Sequence, residues 1–391
     1  MKISAKNVSY DPASQADEKT VCHLLSMAFG FSNERAREYV SHAGVQSFRM
    51  VRDSAGSALA CAALLNTSHA FGGVDIPAAN IAHVAIAPEA RGQGFARPLV
   101  DALCEDARSQ GALMVSLFAS ARPVYRKSGF ELAGSEILYE ADTAAMPART
   151  SVDFFPIALT DDRIVRAYND KKNNEAGLLD RAAVHWKELT RTPADALAAY
   201  GVGDMRDGPL LAYVLVDASD SETLHVRDWY ASNGVMAEAL LCFIGRFRSV
   251  YPKARWHGGP QDDLVAAMPD KGWRLVHQEE WLARILEPQK ALEHRGYLLR
   301  DASLGIRIED PDGENLEIGL SLSAGKTTAS NQMSAGMPSI VVERSFFASL
   351  FTGFSSATQL ARRGRLSGSP EAVSLCDLVF SGPQPWVAEH F

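Results

Sequence analysis

The sequence predicts an α+β protein of more than one domain, and three observations carry that expectation. At 391 residues the chain is too long for one ordinary hydrophobic core. Strand-like apolar runs alternate with amphipathic helical stretches through connections of varied length, which suits helices layered on a mixed sheet. A polar, proline-containing stretch at 142–152 then separates a first block from a second that repeats its style.

The first block opens with a helix at 16–29, whose Val21, Leu24, Leu25 and Ala28 share a face, and a shorter helix at 33–43. Strands are expected at 46–53 and 58–66 around a turn at 54–56, and again at 81–87. Phe95, Leu99, Leu103 and Ala107 recur at four-residue spacing in a helix at 95–111, which Gly111 closes. Strands at 112–118 and 130–139 complete the block. The second block carries strands at 210–216 and 224–230 and a helix at 235–250. The third has strands at 305–309 and 315–321 around a turn at Asp312-Gly313, then helices at 343–351 and 355–363. The expected domains are 1–150, 151–285 and 286–391.

Composition narrows the class. Hydrophobic residues make up 47% and charged residues 22%, the balance of a soluble globular chain. Forty-seven acidic against 39 basic residues leave a net charge of −8, which speaks against nucleic acid as a partner and tolerates a cationic substrate. Cys22, Cys61, Cys104, Cys242 and Cys376 are scattered with no CxxC pair, and read as buried reduced thiols of a cytoplasmic protein. The first residues lack an apolar leader and no 18-residue apolar run occurs, so neither export nor a membrane span is expected. No His, Cys and carboxylate set has zinc spacing, so no metal is expected. Ala324-Gly325-Lys326-Thr327-Thr328 has the look of a P-loop end, but Leu320 stands where that motif needs glycine. Asp310-Pro311-Asp312-Gly313 lacks the remaining spacing of a calcium loop. Both read as turns.

The chemistry concentrates in 81–130. Val84-Ala85-Ile86-Ala87-Pro88-Glu89-Ala90 leads a strand into Arg91-Gly92-Gln93-Gly94-Phe95-Ala96-Arg97, a glycine-rich turn that opens directly into the amphipathic helix. Such a turn points backbone N–H groups and the positive helix end at one spot, an anion site suited to pyrophosphate. Gly92 and Gly94 leave the backbone open to close approach. A dinucleotide fold needs a third glycine where Arg97 stands. What does fit is Arg-x-x-Gly-x-Ala, met by Arg91, Gly94 and Ala96. Downstream, Ser120-Ala121-Arg122-Pro123-Val124-Tyr125-Arg126-Lys127-Ser128-Gly129-Phe130 follows the strand at 112–118. A tyrosine there, with a pKa of about 10, is a neutral acid able to protonate a departing thiolate.

The two segments at this separation resemble the GNAT superfamily of acetyltransferases. The resemblance implies acetyl-CoA as cosubstrate, with Val84, Ala85 and Ile86 along the pantetheine arm and Arg91 to Arg97, together with Ser120 and Ala121, around the cofactor. It implies Tyr125 as the general acid, although Val124 replaces the aromatic residue usual in that family. The full layout is similar to the enhanced intracellular survival group of these enzymes. That implies tandem GNAT domains with mixed, largely antiparallel sheets, the second lacking its pyrophosphate turn at 231–235, plus a sterol-carrier-protein-like α+β domain. Further support lies in Glu280-Trp281-Leu282-Ala283-Arg284-Ile285-Leu286, Ala291-Leu292-Glu293 and the run from Ala361 to Gly368.

In that group the chain end enters the first active site, which would make the α-carboxylate of Phe391 the general base. The aromatic tail Pro385-Trp386-Val387-Ala388-Glu389-His390-Phe391 suits burial rather than fraying. An α-carboxylate of pKa about 3.5 is nevertheless a weak acceptor unless burial lifts it. His83, on the strand before the glycine turn, is therefore a rival base. Phe29 and Phe31 are candidate walls of the acceptor site, and Glu34, Glu38 and Glu389 candidate attractors of its charge. The expected acceptor is a primary amine of a cationic small molecule, aminoglycoside- or polyamine-like, with a protein lysine side chain as alternative. A lipid-binding carrier led by the third domain is the rival from another class. The resemblance also implies a homo-oligomer, a hexamer.

Overall fold

A computed structural model describes residues 8–192, 196–204, 207–310 and 315–391. The turn expected at Asp312-Gly313 and the first seven residues lie outside the described residues.

Strand β1 (Val8–Pro12) pairs with β2 (Phe48–Asp53), and between them helices α1 (Glu18–Phe29) and α2 (Asn33–Ala43) pack on the sheet. Val21, Cys22, Leu24 and Leu25 are the buried face of α1, which ends at Gly30 in the left-handed conformation that glycine adopts without strain. Strands β3 (Ala58–Phe71) and β4 (Val74–Ile86) form one long hairpin turned by Gly72 and Gly73. Sequence periodicity ended the first at 66 and began the second at 81. The omitted part alternates less cleanly because both faces are covered: Ala70, Phe71, Ile76 and Ala78 are buried beside His69 and Asn80. Helix α3 (Ala96–Ser109), strand β5 (Met114–Phe118), the short α4 (Arg122–Arg126) and strand β6 (Glu131–Asp142) follow. The stretch at 142–152 is not a free linker over its first part, since Thr143 and Met146 are buried.

Next come β7 (Phe155–Ile157), α5 (Asp162–Asn174), α6 (Ala183–Leu189), β8 (Leu197–Gly203), β9 (Leu210–Asp217), β10 (Thr223–Ala231), α7 (Gly234–Ile244), β11 (Lys253–His257), α8 (Asp263–Ala266) and β12 (Trp273–Ile285). Helix α7 stops at Ile244, and Gly245–Ser249 continues as a tighter 3-10 turn, so the helix expected at 235–250 is two elements. Strands β1 to β12 and a short tail strand make one 13-stranded sheet. Its order reveals an exchange. β12 does not stay beside β11 but inserts between β5 and β6, antiparallel to both.

The remaining residues form α9 (Pro288–His294), β13 (Ala302–Glu309), β14 (Leu316–Ser323), β15 (Lys326–Ser330), β16 (Ser339–Glu343), α10 (Arg344–Thr352), α11 (Ala357–Arg362), β17 (Leu366–Gly368), α12 (Pro370–Val379) and β18 (Trp386–Val387). A five-stranded sheet in the order β15-β14-β13-β16-β17 carries α10 and α12. Its core of Ile306, Ile340, Phe347, Phe351 and Cys376 is continuous with Phe71, Met114 and Trp281 of the larger sheet. All five cysteines are buried and free, as the sequence led us to expect.

Candidate active site

The site begins where β4 and β5 part. They pair in parallel only over Ala78–Asn80 with Met114–Ser116, after which the ladder ends and β4 continues alone on that side to Ile86. A bulge bends β4 at the same place: Ala82 pairs with Ala63 and Ala85 with Cys61, leaving His83 and Val84 opposite a single residue. His83 takes φ 54°, rare for a non-glycine residue and held by its surroundings. The result is a wedge-shaped opening edged by the backbone of Val84, Ala85 and Ile86.

At the mouth of the wedge lies the glycine turn. Gly92 and Gly94 have φ 72° and 86°, so glycine is required by backbone conformation. A Cβ on either would meet nothing within 4 Å, which leaves open space above the turn. Arg91 ties it down, donating from Nε to the Ile86 carbonyl and from Nη2 to the Met27 carbonyl, each at 3.3 Å. Gln93 donates to the Glu89 carbonyl at 2.6 Å. Phe95 is buried at the N-cap of α3, and no side chain caps that helix end. Arg97 lies exposed on the first turn, 3.6 Å from Asp101. An uncapped helix N-terminus beneath open glycines fits a diphosphate, and the splayed strand edge fits an amide-bearing arm. These residues are suited to coenzyme A.

Tyr125 sits on α4 with its ring buried and edge-on to Phe130 at 6.3 Å, and burial pushes its hydroxyl pKa up. Exposed Ser120 and Ala121 lead into that helix from the end of β5.

The tail comes to the same place from the other side. On one edge of β6, strand β11 pairs with residues 138–142, and β18 pairs in parallel with Ser135 and Glu136 just beyond. The Pro385 carbonyl accepts from Ser135, and the Trp386 amide donates to the Ala176 carbonyl at 2.9 Å. Gly177 makes this possible: its φ is 90°, and a Cβ there would stand 2.8 Å from the Trp386 carbonyl oxygen. Glu389 accepts from the buried Arg181 at 2.5 Å, and His390 meets the Glu136 carboxylate at 2.8 Å while stacking on Phe118 at 4.2 Å. Phe391 is 7% exposed and wedged against Phe118 and His69. The tail is buried, in keeping with its composition. Beneath it His69 is bound to the Gly177 carbonyl and Ser116, and burial holds its pKa down to about 4, so it stays neutral.

Ala388 to Phe391 form one wall of a cavity of about 340 Å³, which is also lined by Tyr39, Glu136, Glu188, Arg227 and His257. Its walls therefore come from α2, β6, α6, β10, β11 and the tail. Among the acceptor residues expected from sequence, only Glu389 lines it. Phe29, Phe31 and Tyr39 instead cage His83, at 5.2, 5.4 and 4.3 Å between ring centroids. Glu34 is exposed on the first turn of α2, and Glu38 pairs with Arg35 and Arg191. His83 is not among the residues lining the cavity, its Nδ1 has no hydrogen-bond partner, and burial brings its pKa down to about 4. Sequence reasoning missed Glu136, Glu188, Arg227 and His257, which belong to no motif and meet only through strand pairing. His390 carried one signal, its place beside Phe391.

The equivalent position after β10 is built differently. The Asn233 side chain accepts from the Met236 amide at 3.1 Å and caps α7, and Gly234 has an ordinary φ. The phosphate place is filled by a side chain.

Splayed strands, an open glycine turn on a free helix end and a tyrosine beside them define an acyl-CoA-dependent acyltransferase. Comparison with known proteins makes the family explicit. Residues 9–133 and 177–285 each match an acetyltransferase (GNAT) domain, and 288–388 match a sterol carrier protein domain. The chain is a GNAT N-acetyltransferase with two GNAT domains and a sterol-carrier-protein-like domain. It is 27% identical over 355 residues to an uncharacterized N-acetyltransferase of Streptomyces griseus, covering 82% of this chain and 83% of that one. The GCN5-related N-acetyltransferase of Anabaena variabilis superposes with a TM-score of 0.91 at 27% identity, over 98% of this chain and all of that one. Eis1 of Mycobacterium abscessus shares the fold, with a TM-score of 0.78 at 20% identity over 98% and 100% of the two chains. Membership implies acetyl-CoA as acetyl donor and an amine as acceptor. Among the described residues no helix is long and apolar enough to cross a membrane.

Proposed function

We propose that the enzyme acetylates a primary amine of a small cationic molecule, aminoglycoside- or polyamine-like, by direct transfer from acetyl-CoA. The observation that carries this reading is the place of Phe391, in the wall of the cavity and against Phe118 at the end of the strand that leads to Tyr125. Acetyl-CoA brings an activated thioester, which Val84, Ala85 and Ile86 hold by their backbone while the turn from Arg91 to Arg97 takes the phosphates. The Phe391 carboxylate accepts the proton of the acceptor ammonium, and the Tyr125 hydroxyl gives its proton to the leaving sulfur as the C–S bond breaks and the C–N bond forms.

Energetics favour this division of labour. Freeing an amine of pKa about 10.4 at pH 7 costs about 4–5 kcal/mol, so a base placed beside the amine is needed. Burial raises a carboxylate's proton affinity, whereas it lowers that of His83. Three carboxylates face the acceptor, each already shared: Glu136 with His257 and His390, Glu188 with Arg35 and His42, Glu389 with Arg181. An incoming ammonium competes with those partners, so affinity is modest and several amines are accepted. A cavity of about 340 Å³ suits a small molecule better than a folded protein surface. We extend the same reading to a cytoplasmic homo-oligomer, a hexamer by resemblance, with domains at 1–150, 151–285 and 286–391. Light scattering of the purified enzyme checks the assembly.

The test is thiol release from acetyl-CoA with aminoglycosides, polyamines and a lysine-bearing peptide, using the full chain and the chain without Phe391. Turnover with small amines that falls at least about a hundredfold without Phe391, in a protein with unchanged melting, supports the reading. Near-wild-type turnover by the shortened chain removes Phe391 as the base, and turnover only with the peptide removes the small-molecule acceptor.

A further inference from the structure

The second GNAT domain repeats the strand geometry of the first and uses it differently. β10 and β11 pair in parallel over Thr223–Val226 with Lys253–Trp256, as β4 and β5 do. Just past that ladder β10 bulges at Arg227, where β4 bulges at His83 and Val84. In the first domain the bulge leaves backbone free beside the glycine turn. Here it re-aims side chains. Arg227 lines the acceptor cavity, and Asp228 turns into the protein, 4% exposed. The Asp228 Oδ2 accepts from the Arg181 Nη1 at 2.5 Å and from the Tyr213 hydroxyl at 2.8 Å.

Arg181 joins this bulge to the tail. It lies between α5 and α6, buried, with its guanidinium over the rings of Tyr168 at 3.8 Å and Trp186 at 4.8 Å. Nη1 is held by Asp228, and Nε donates to the Glu389 Oε1 at 2.5 Å. The other Glu389 oxygen has no hydrogen-bond partner, so among the described residues Arg181 alone holds that side chain. A planar guanidinium fixed by aromatic faces and by a carboxylate at its edge presents its remaining N–H groups in one direction. Glu389 must come to it. Strand pairing of the tail stops at Val387, so the last four residues depend on the side-chain bonds of Glu389 and His390. Glu389 stands two residues before the chain end.

We propose that Arg181 is a positioning residue for acetyl transfer. Fixed by Asp228 at the bulge of the second GNAT domain, it grips Glu389 and so sets the Phe391 carboxylate at the acceptor cavity. The second domain, whose phosphate place is filled, serves the chemistry of the first through this grip. The proposal rests on Phe391 as the base, and two independent readouts keep the two apart.

Amide exchange at 386–390 in the full-length enzyme reads the grip without reference to activity. Glu389→Ala is expected to speed it at least about tenfold, as loss of a charge-assisted bond implies. Glu389→Gln should restore part of the protection, because its amide oxygen still accepts from Arg181. Turnover with aminoglycosides and polyamines reads the consequence. Glu389→Ala should lower kcat about tenfold to a hundredfold with the acetyl-CoA KM unchanged, and have no further effect in the chain without Phe391. Arg181→Lys keeps the charge but not the fork, and should loosen the tail as much. If it fails to fold, Glu389→Ala decides alone. Unchanged exchange in Glu389→Ala overturns the grip. The same fold-loss of kcat with and without Phe391 also overturns the proposal, since Glu389 then acts on the acceptor itself. Near-wild-type turnover without Phe391 overturns the base and the positioning role together.

Discussion

Glu136 holds His390, with 2.8 Å between the Glu136 Oε2 and the His390 Nδ1, one residue before the carboxylate proposed as base. The other oxygen of Glu136 meets His257 at 3.1 Å, so one carboxylate on β6 ties the tail to β11. Glu136→Gln should lower kcat about tenfold to a hundredfold, the effect of losing charge-assisted bonds, and leave KM for acetyl-CoA unchanged. Steady-state kinetics with both substrates varied check this; an equal rise in the acetyl-CoA KM would point to general damage.

The docking of the tail should depend on pH in both directions. Burial pushes the Glu136 carboxyl up, but hydrogen bonds from His257 and His390 outweigh it and hold the pKa down at about 2, against an ordinary 4.5. Its stabilising effect is complete above pH 4.5 and is lost as acid approaches 2. The bond to Glu136 raises His390 above its ordinary 6.5, so that contribution is complete below 6.5 and fades as pH climbs through the raised value. Amide exchange at 386–390, corrected for intrinsic rates, should be slowest between pH 4.5 and 6.5.

Gly177 offers a test remote from the chemistry. Its left-handed backbone costs an alanine about 1–2 kcal/mol, and a Cβ would also press on the Trp386 main chain at 2.8 Å. Gly177→Ala should expel the tail, reduce kcat as strongly as removal of Phe391, and leave acetyl-CoA binding intact. Calorimetric titration with CoA beside turnover separates the two effects.

Gly94→Ala addresses the other end of the site. A Cβ meets no atom there, so strain alone acts, and at φ 86° it amounts to about 1–2 kcal/mol. The acetyl-CoA KM should rise about tenfold with kcat little changed, as loss of cofactor binding alone predicts.

Tyr125→Phe keeps the edge-on packing against Phe130 and removes only the hydroxyl. A loss of about 10²–10⁴ in kcat is expected, with CoA affinity preserved. A buried tyrosine merely filling space would give near-wild-type turnover in the same assay.

What was legible in the sequence was local. The turn from Arg91 to Arg97 and the helix after it announce themselves within seven residues, because backbone conformation at Gly92 and Gly94 and the uncapped helix end are short-range properties. Tyr125 and the buried tail were visible for the same reason. Glu136, Glu188, His257 and Arg227 were not, since each is an unremarkable polar residue until β6, α6, β10 and β11 are brought together. Phe29 and Phe31 stand against His83, an arrangement set by the bulge in β4 that no spacing rule reveals. Helix α5 was missed because its buried face includes Arg163 and Lys172, whose charges hide the apolar period of Ile164, Ala167 and Tyr168.

The insertion of β12 between β5 and β6 also dictates a schedule. On the ribosome, β4 and the glycine turn after it emerge long before the strand that completes their sheet, and residues 386–391 emerge later still. Until Trp273–Ile285 arrives, β5 and β6 present unpaired edges side by side. The nascent first domain is therefore an open, adhesive intermediate until β12 closes its sheet.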